Sequence, residues 1–171
     1  MGALVARLWR SGERLDTKRI QHLWSSYIER NTDFFEKVLN NVVARDTGIA
    51  EILLSRKHAS NPDEQKYVLS VLGDNFIEFF EQLVQDDKLN DLAELKRVCF
   101  VLGMQHAAFT TERFSMTYWD VFTLAMIEEL EIGGVQPRDL RAWQALMHQV
   151  VKAMDEGYEH GQHTQQRSQF D

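Results

Sequence analysis

Apolar residues recur every three to four positions along most of this chain, a pattern that predicts amphipathic helices. The first such face begins after Asp16, which is a suitable N-cap residue. Its apolar positions are Ile20, Leu23, Trp24, Tyr27 and Ile28. A second face follows a cap at Asn31 or Thr32, and acidic residues in its first turn suit the helix dipole.

The clearest helix start in the chain is Asn61-Pro62, because asparagine caps well and proline fits the first helical position. The helix that it opens carries a broad apolar stripe of Val68, Leu69, Leu72, Phe76, Phe79, Phe80 and Leu83. Upstream, Gly48 is expected to break the chain before a short apolar segment at 49–54. The polar run 85–88 is expected to end the long helix.

Two further helices are predicted in the second half of the chain. The first carries Leu92, Leu95, Val98, Cys99, Leu102 and His106 on one face. After a turn at Thr110-Thr111, an apolar helix runs from about Phe114 to Leu130. Gly133-Gly134 is expected to end it.

A last helix is opened by Pro137, and the polar residues after Gly157 are expected to fray. No segment shows the period-two alternation of a half-buried strand. The chain therefore predicts an all-α domain of six to eight helices at 16–156. An N-terminal extension at 1–15 and a polar tail at 157–171 flank this domain.

The composition of the chain argues against several classes of protein function. Of 171 residues, 44% are hydrophobic and 26% are charged, which suits one folded domain with a sizeable core. The formal net charge of −7 argues against nucleic acid as a partner. A single cysteine, Cys99, excludes a disulfide framework and a multi-cysteine metal site within the chain. No apolar run reaches the roughly 18 residues of a transmembrane helix, and the N-terminus lacks a signal-peptide pattern, so we expect a cytoplasmic protein.

His106 is the residue in the sequence that points most directly to chemistry. It extends an apolar stripe by one turn, so its imidazole is expected to face inward, and Gly103 permits a close approach to the same helix. Two interpretations stay open from the residues alone. One is a hydrogen-bonded core histidine, and the other is a metal ligand. Because no second His, Asp or Glu shares this face, a single inward histidine suits an axial ligand to a macrocycle-bound metal.

Three segments carry a resemblance to a known family. Leu102-Gly-Met-Gln-His106, with an aromatic-rich helix after it, resembles the proximal segment of globins. Trp24 is similar to the tryptophan found late in the first globin helix, and Gly134-Val-Gln-Pro-Arg-Asp-Leu-Arg-Ala-Trp143 resembles the entry to the last one. The resemblance covers about residues 16 to 156 and is closest in style to the intracellular globins of invertebrates, nematodes especially.

The resemblance implies a globin-like fold and a haem b (iron protoporphyrin IX) whose iron is bound by His106. It implies that the haem pocket is lined by Leu39, Ile52, Leu53, Val68, Leu72, Leu102 and Phe114. It also implies reversible binding of a diatomic gas such as O₂, CO or NO. The sequence is compatible with a homodimer and equally with a monomer.

The register of the distal helix stays open. Counting from Pro62 places Val68 and Leu72 over the iron, and this is the register we prefer. A register one turn earlier would place Glu64 and Val68 there. In the second helix, Val38 is the alternative to Leu39.

The preferred pocket lacks a hydrogen-bond donor, because Leu39, Val68 and Leu72 are all apolar. Such a pocket suits gas sensing or redox chemistry with nitrite, NO or electron-transfer partners. One departure from the family favours a different class of protein: the phenylalanine that globins place against the haem is replaced by Ile52 or Leu53. The alternative is a haem-free, globin-like signalling or interaction module. An acid–base or nucleophilic enzyme has little support in the sequence.

Overall fold

The computed structural model describes residues 14–55, 61–109 and 114–168, and this part of the chain is all-helical with no strand. Its α-helices are α1 (Thr17–Leu23), α2 (Phe34–Arg45), α3 (Thr47–Ser55), α4 (Pro62–Leu83), α5 (Asp86–Asn90), α6 (Leu92–Phe109), α7 (Thr117–Ile132) and α8 (Pro137–Ser168). These eight helices confirm the predicted all-α class. The predicted turn at Thr110-Thr111 and most of the N-terminal extension lie outside the described residues.

Two predicted helix starts are confirmed by their capping bonds. The Asp16 carboxylate accepts from the backbone N–H of Arg19, and the Asn61 side chain accepts from that of Glu64 at 2.9 Å. Pro62 takes the first position of α4. Each cap satisfies a backbone donor that the helix itself leaves unpaired.

Other boundaries differ from the sequence prediction. The N-cap residue of the second helix is Asp33 and not Asn31 or Thr32, and the Asp33 side chain forms no capping hydrogen bond. The break expected at Gly48 lies at Asp46, whose backbone is extended and whose carboxylate accepts from the N–H of Gly48 and of Ile49. An aspartate therefore both ends α2 and caps α3, which leaves Gly48 inside α3.

The middle and C-terminal parts of the chain also depart from expectation. The long helix ends at Leu83, as the polar run 85–88 predicts, but a short helix that the sequence does not predict, α5, begins at Asp86. The helix expected from about Phe114 begins at Thr117. The first helix continues beyond Leu23 as a π-helical turn, Trp24–Ile28, that no local sequence signal predicts.

A column of aromatic rings fills the centre of the main core. Neighbouring rings lie at centroid distances of 4.4–6.4 Å in the order Phe122, Phe76, Phe35, Phe80, Trp143 and Trp24. Each pair is stacked except Phe80–Trp143, which is tilted. These six rings come from α1 with its π turn, α2, α4, α7 and α8. Contacts between aromatic rings stabilise a fold beyond the burial of their apolar area, so this column stabilises the packing of five segments.

The expectation that the chain frays after Gly157 is wrong. Helix α8 continues to Ser168, and Gly157, Tyr158 and Gly161 are all buried. Contacts run in the same order along α6 and α8, with Phe100 against Gly157 and Ala107 against Gly161, so the two helices pack in parallel. The polar composition of this segment reflects its outer face, whereas its small residues face α6.

Candidate functional site

The His106 imidazole is held by its own helix. Its Nδ1 lies 2.9 Å from the carbonyl oxygen of Leu102, one turn earlier in α6. A carbonyl oxygen only accepts, so Nδ1 carries a hydrogen, and in the neutral tautomer with this bond the lone pair is on Nε2. Among the described residues, none forms a hydrogen bond with Nε2. This is the arrangement in which a histidine binds a metal, because the backbone bond fixes both tautomer and ring orientation.

Aromatic side chains surround the same imidazole. The ring of Trp119 meets it edge to face at a centroid distance of 5.8 Å, and the ring of Phe114 lies at 6.5 Å. Tyr158 of α8 packs against both Phe114 and Trp119, at 5.0 and 5.8 Å. His106 therefore lies at the edge of a cluster of three aromatic rings, which we call the His106 aromatic cluster.

Helix α6 is held against α8 by direct backbone contact in the turn before His106. A Cβ on Gly103 would lie 2.1 Å from the carbonyl oxygen of Met154, far inside any real contact. At the residue directly after His106, the Gln165 side chain donates to the carbonyl oxygen of Ala107 at 3.2 Å. The helix that carries His106 is therefore held in place by its contacts with α8.

The predicted distal residues are buried to different degrees. Leu39 on α2 is 2% exposed and Val68 on α4 is 4% exposed, yet neither belongs to the main buried cluster. Leu72 and Ile52 are half-buried, and neither packs against that cluster. Glu64, which the earlier register would place in the pocket, is exposed in the first turn of α4.

The remaining predicted pocket residues are placed differently. Leu53 and Leu102 are half-buried and pack against the main core. Phe114 is half-buried and lies in the His106 aromatic cluster. Of the predicted pocket residues, Leu102 and Phe114 contact His106, the first through its carbonyl oxygen and the second through its ring. The others lie on different helices: Leu39 on α2, Ile52 and Leu53 on α3, and Val68 and Leu72 on α4.

Sequence reasoning does not identify two residues of the His106 aromatic cluster, Trp119 and Tyr158. The sequence shows an aromatic-rich helix after His106, but nothing in the spacing pairs that helix with position 158. Tyr158 is 9% exposed, and its hydroxyl accepts from the Gln162 side chain at 3.2 Å. Because the polar segment around Tyr158 predicts a fraying tail, the sequence does not predict the burial of this side chain.

Two carboxyl groups lie close to these aromatic residues in the chain. Burial raises the pKa of Asp120, which follows Trp119. Burial and then the charge of Asp120 raise the pKa of Asp155 to about 6. Oδ1 of Asp155 is buried and has no hydrogen-bond partner among the described residues. A carboxylate in this state favours its protonated form.

Cys99 lies on α6 two turns before His106 and is fully buried. Burial raises the pKa of its thiol to about 12. The thiol therefore stays protonated at physiological pH, which agrees with its interpretation as a small core residue and not as a nucleophile.

The donor set fits a haem better than a metal ion held by protein alone. The described residues contain no group of three or more His, Cys, Asp or Glu side chains that could hold a metal ion. One oriented imidazole, with a lone pair and aromatic or apolar neighbours, is what an axial ligand to a macrocycle requires. The apolar side chains outside the main core would contact the face of such a ring.

No protein-family model matches the sequence, and no curated protein matches it significantly. Over the described residues, every helix is too short or too polar to cross a bilayer.

Proposed function

We propose that this chain is a globin-like haem protein that binds a diatomic gas at an iron held by Nε2 of His106. The observation that carries the proposal is the hydrogen bond from Nδ1 to the Leu102 carbonyl oxygen, which leaves Nε2 oriented and available. When bound, the haem supplies an iron atom with an open coordination position. The protein supplies the axial nitrogen and an apolar surrounding that limits the access of water.

The apolar residues outside the main core support this proposal. Leu39 and Val68 are almost completely buried without joining the cluster that stabilises the rest of the fold. Ligand sites are lined mostly by apolar side chains, and these two side chains are apolar and lie outside the main core. In this account, Leu39, Val68 and Leu72 lie on the distal side, with Ile52 and Leu53 at the ring edge.

The proposed distal side has a defined consequence for gas binding. Bound O₂ carries partial negative charge, and a hydrogen bond to a charged group is worth about 1.5–3 kcal/mol. Leu39, Val68 and Leu72 offer no donor, so O₂ affinity is lower by roughly one to two decades than with a donor present. We infer rapid O₂ release, little discrimination against CO, and a five-coordinate ferrous iron. These properties suit gas sensing or redox chemistry with NO or nitrite better than oxygen storage.

Replacement of the ligand tests the proposal. The full chain and its His106→Ala variant are mixed with haemin, separated from excess haemin, and compared by absorption spectroscopy. The unmodified chain retains a Soret band, whereas His106→Ala loses the band or shows altered iron coordination. His22→Ala is the matched control, because His22 is exposed on α1. Equal spectra for His106→Ala and the unmodified chain contradict the proposal.

A haem-free, globin-like interaction module is the second candidate. Its support is the stacking of Phe76 on Phe122 at 4.4 Å, which closes the interior between α4 and α7 at that point. Replacement of the family's phenylalanine by Ile52 or Leu53 points the same way. This candidate predicts no haemin uptake and an unchanged fold in His106→Ala, so the same experiment separates the two.

A further inference from the structure

The last turn of α6 carries His106 and lies against the C-terminal part of α8. Helix α6 ends at Phe109, three residues after the histidine. A Cβ on Gly161 would lie only 2.7 Å from the Cβ of Ala107, so the two helices are in direct contact at the residue that follows His106. This contact comes from the part of α8 after residue 156, where the globin resemblance ends.

The carbonyl oxygen of Ala107 needs a donor that α6 itself does not supply. The last four carbonyl groups of an α-helix have no partner within the helix, and Ala107 lies within the last four residues of α6. The Gln165 side chain supplies the donor, with its Nε2 3.2 Å from the Ala107 oxygen. The two residues are 58 positions apart, so this bond joins the end of α6 to α8.

The orientation of the His106 imidazole depends on the same turn. In an α-helix the backbone N–H of each residue donates to the carbonyl oxygen four positions earlier, which for His106 is that of Leu102. The His106 ring donates to this same oxygen through Nδ1 at 2.9 Å. Helix ends fray readily, and fraying of this turn moves the backbone of His106 away from Leu102. The bond that orients the ring is then lost together with the backbone bond.

From these contacts we propose that Gln165 is a positioning residue for the iron ligand: its side-chain amide caps the last turn of α6 and so fixes the direction of Nε2 of His106. The inference rests on the proposed haem function. It gives a role at the iron to a segment of α8 that the globin resemblance does not cover. Gln165 bonds the backbone and not the imidazole, so it acts through the helix that carries the ligand.

The size of the effect follows from this indirect role. Removal of a group that bonds a metal-binding histidine directly commonly changes metal affinity by roughly 10- to 100-fold. Gln165 acts one step further from the metal, through a single neutral hydrogen bond. Loss of such a bond changes an equilibrium by roughly two- to tenfold, and this is the effect expected at the iron.

The test compares three variants of the full chain. Gln165→Glu keeps the size of the side chain and removes its N–H donor, whereas Gln165→Arg keeps a donor of sufficient length. His163→Ala is the matched control, because His163 is exposed on the same part of α8. The proposal predicts that Gln165→Glu alone differs from the unmodified chain.

The first measurement uses the haem-free chain and follows amide hydrogen exchange at residues 106–108. This exchange reports the opening of the last turn of α6, and it is expected to be roughly two- to tenfold faster in Gln165→Glu. Gln165→Arg and His163→Ala are expected to exchange at the unmodified rate. Unchanged exchange in Gln165→Glu overturns the cap.

The second measurement uses the same proteins loaded with haemin and reduced with dithionite. Resonance Raman spectroscopy records the stretching band of the bond between iron and the His106 nitrogen. This band is expected to shift or broaden in Gln165→Glu and to match the unmodified band in Gln165→Arg. A purely structural role for Gln165 would speed amide exchange and leave the band unchanged, and that result overturns the positioning role while the haem function stands.

Failure of the unmodified chain to take up haemin has a different meaning. It overturns the haem function, and the positioning role falls with it. The exchange rates of the haem-free proteins still decide whether Gln165 caps α6, so failure of the cap and failure of the haem function are distinguishable.

Discussion

Gly103 of α6 lies against the backbone of Met154 of α8, so closely that a Cβ at position 103 would be 2.1 Å from the Met154 carbonyl oxygen. The contact lies one turn before His106 and is repeated where Gly157 meets the carbonyl oxygen of Phe100. Because the obstructing atoms belong to the backbone, neither helix can relieve the clash by turning a side chain. The close approach of α6 and α8 therefore requires glycine at positions 103 and 157.

Gly103→Ala is expected to destabilise the fold strongly. The added methyl group forces α6 away from α8, and overpacking of this kind lowers the free energy of unfolding by about 1–3 kcal/mol or more. Thermal unfolding followed by circular dichroism measures the effect as a lower Tm. Gln105→Ala is the control, because Gln105 is exposed on the same helix. Equal Tm values for Gly103→Ala and Gln105→Ala would show that the helices are not in contact.

Truncation after Glu156 is expected to destabilise the protein, because residues 157–168 are part of the packed helix α8. The deletion removes the buried Tyr158 and the hydrogen bond from Gln165 to Ala107. Burial of one large apolar side chain is worth about 1.5–3 kcal/mol, so a loss of at least this size is expected.

Truncation after Ser168 supplies the control for that deletion, since it shortens the chain without removing α8. Both truncated proteins are compared with the full chain by urea unfolding. Identical midpoints for the two truncations would mean that the C-terminal segment contributes nothing to stability, as a frayed tail would.

Asp155→Asn is expected to make stability less dependent on pH. The folded pKa of Asp155 is raised from 3.8 to about 6, so the folded state binds its proton more tightly than the unfolded state does. The ionised side chain lowers stability above about pH 6, and this loss disappears as the pH falls towards about 4. Allowing for solvent screening, the variant gains roughly 1 kcal/mol at neutral pH and nothing near pH 4.

Thermal unfolding across this pH range measures the difference between Asp155→Asn and the unmodified chain. A gain of roughly 1 kcal/mol corresponds to a Tm increase of about 2–4 °C for a protein of this size. Glu131→Gln removes an exposed carboxylate from α7 and is the control. A Tm difference that stays constant with pH would contradict the shifted pKa.

The parts of the fold that the sequence predicts are those decided locally. Asn61-Pro62 predicts the start of α4 because the cap and the proline act within one turn. The apolar stripes predict helices because their period is a local property. His106 was identified in the same way, as a polar residue on an apolar face, and its bond to Leu102 lies within one helix.

The parts that the sequence does not predict depend on contacts between distant segments. The polar composition after Gly157 predicts a fraying tail, so Gly157 is expected at the end of the ordered helix. It lies instead inside α8, where Phe100 of α6 leaves no room for a side chain. The approach of Tyr158 to Trp119 and the influence of Asp120 on Asp155 arise from the same packing.

The absorption spectrum of the purified chain after addition of haemin and dithionite tests the central claim most directly. An oriented imidazole and an apolar distal side predict an intense Soret band with a single broad visible band, as expected of a five-coordinate ferrous haem bound through His106. Sharp, split visible bands would mean a second protein ligand and would contradict the apolar pocket. The absence of any Soret band would contradict haem binding itself.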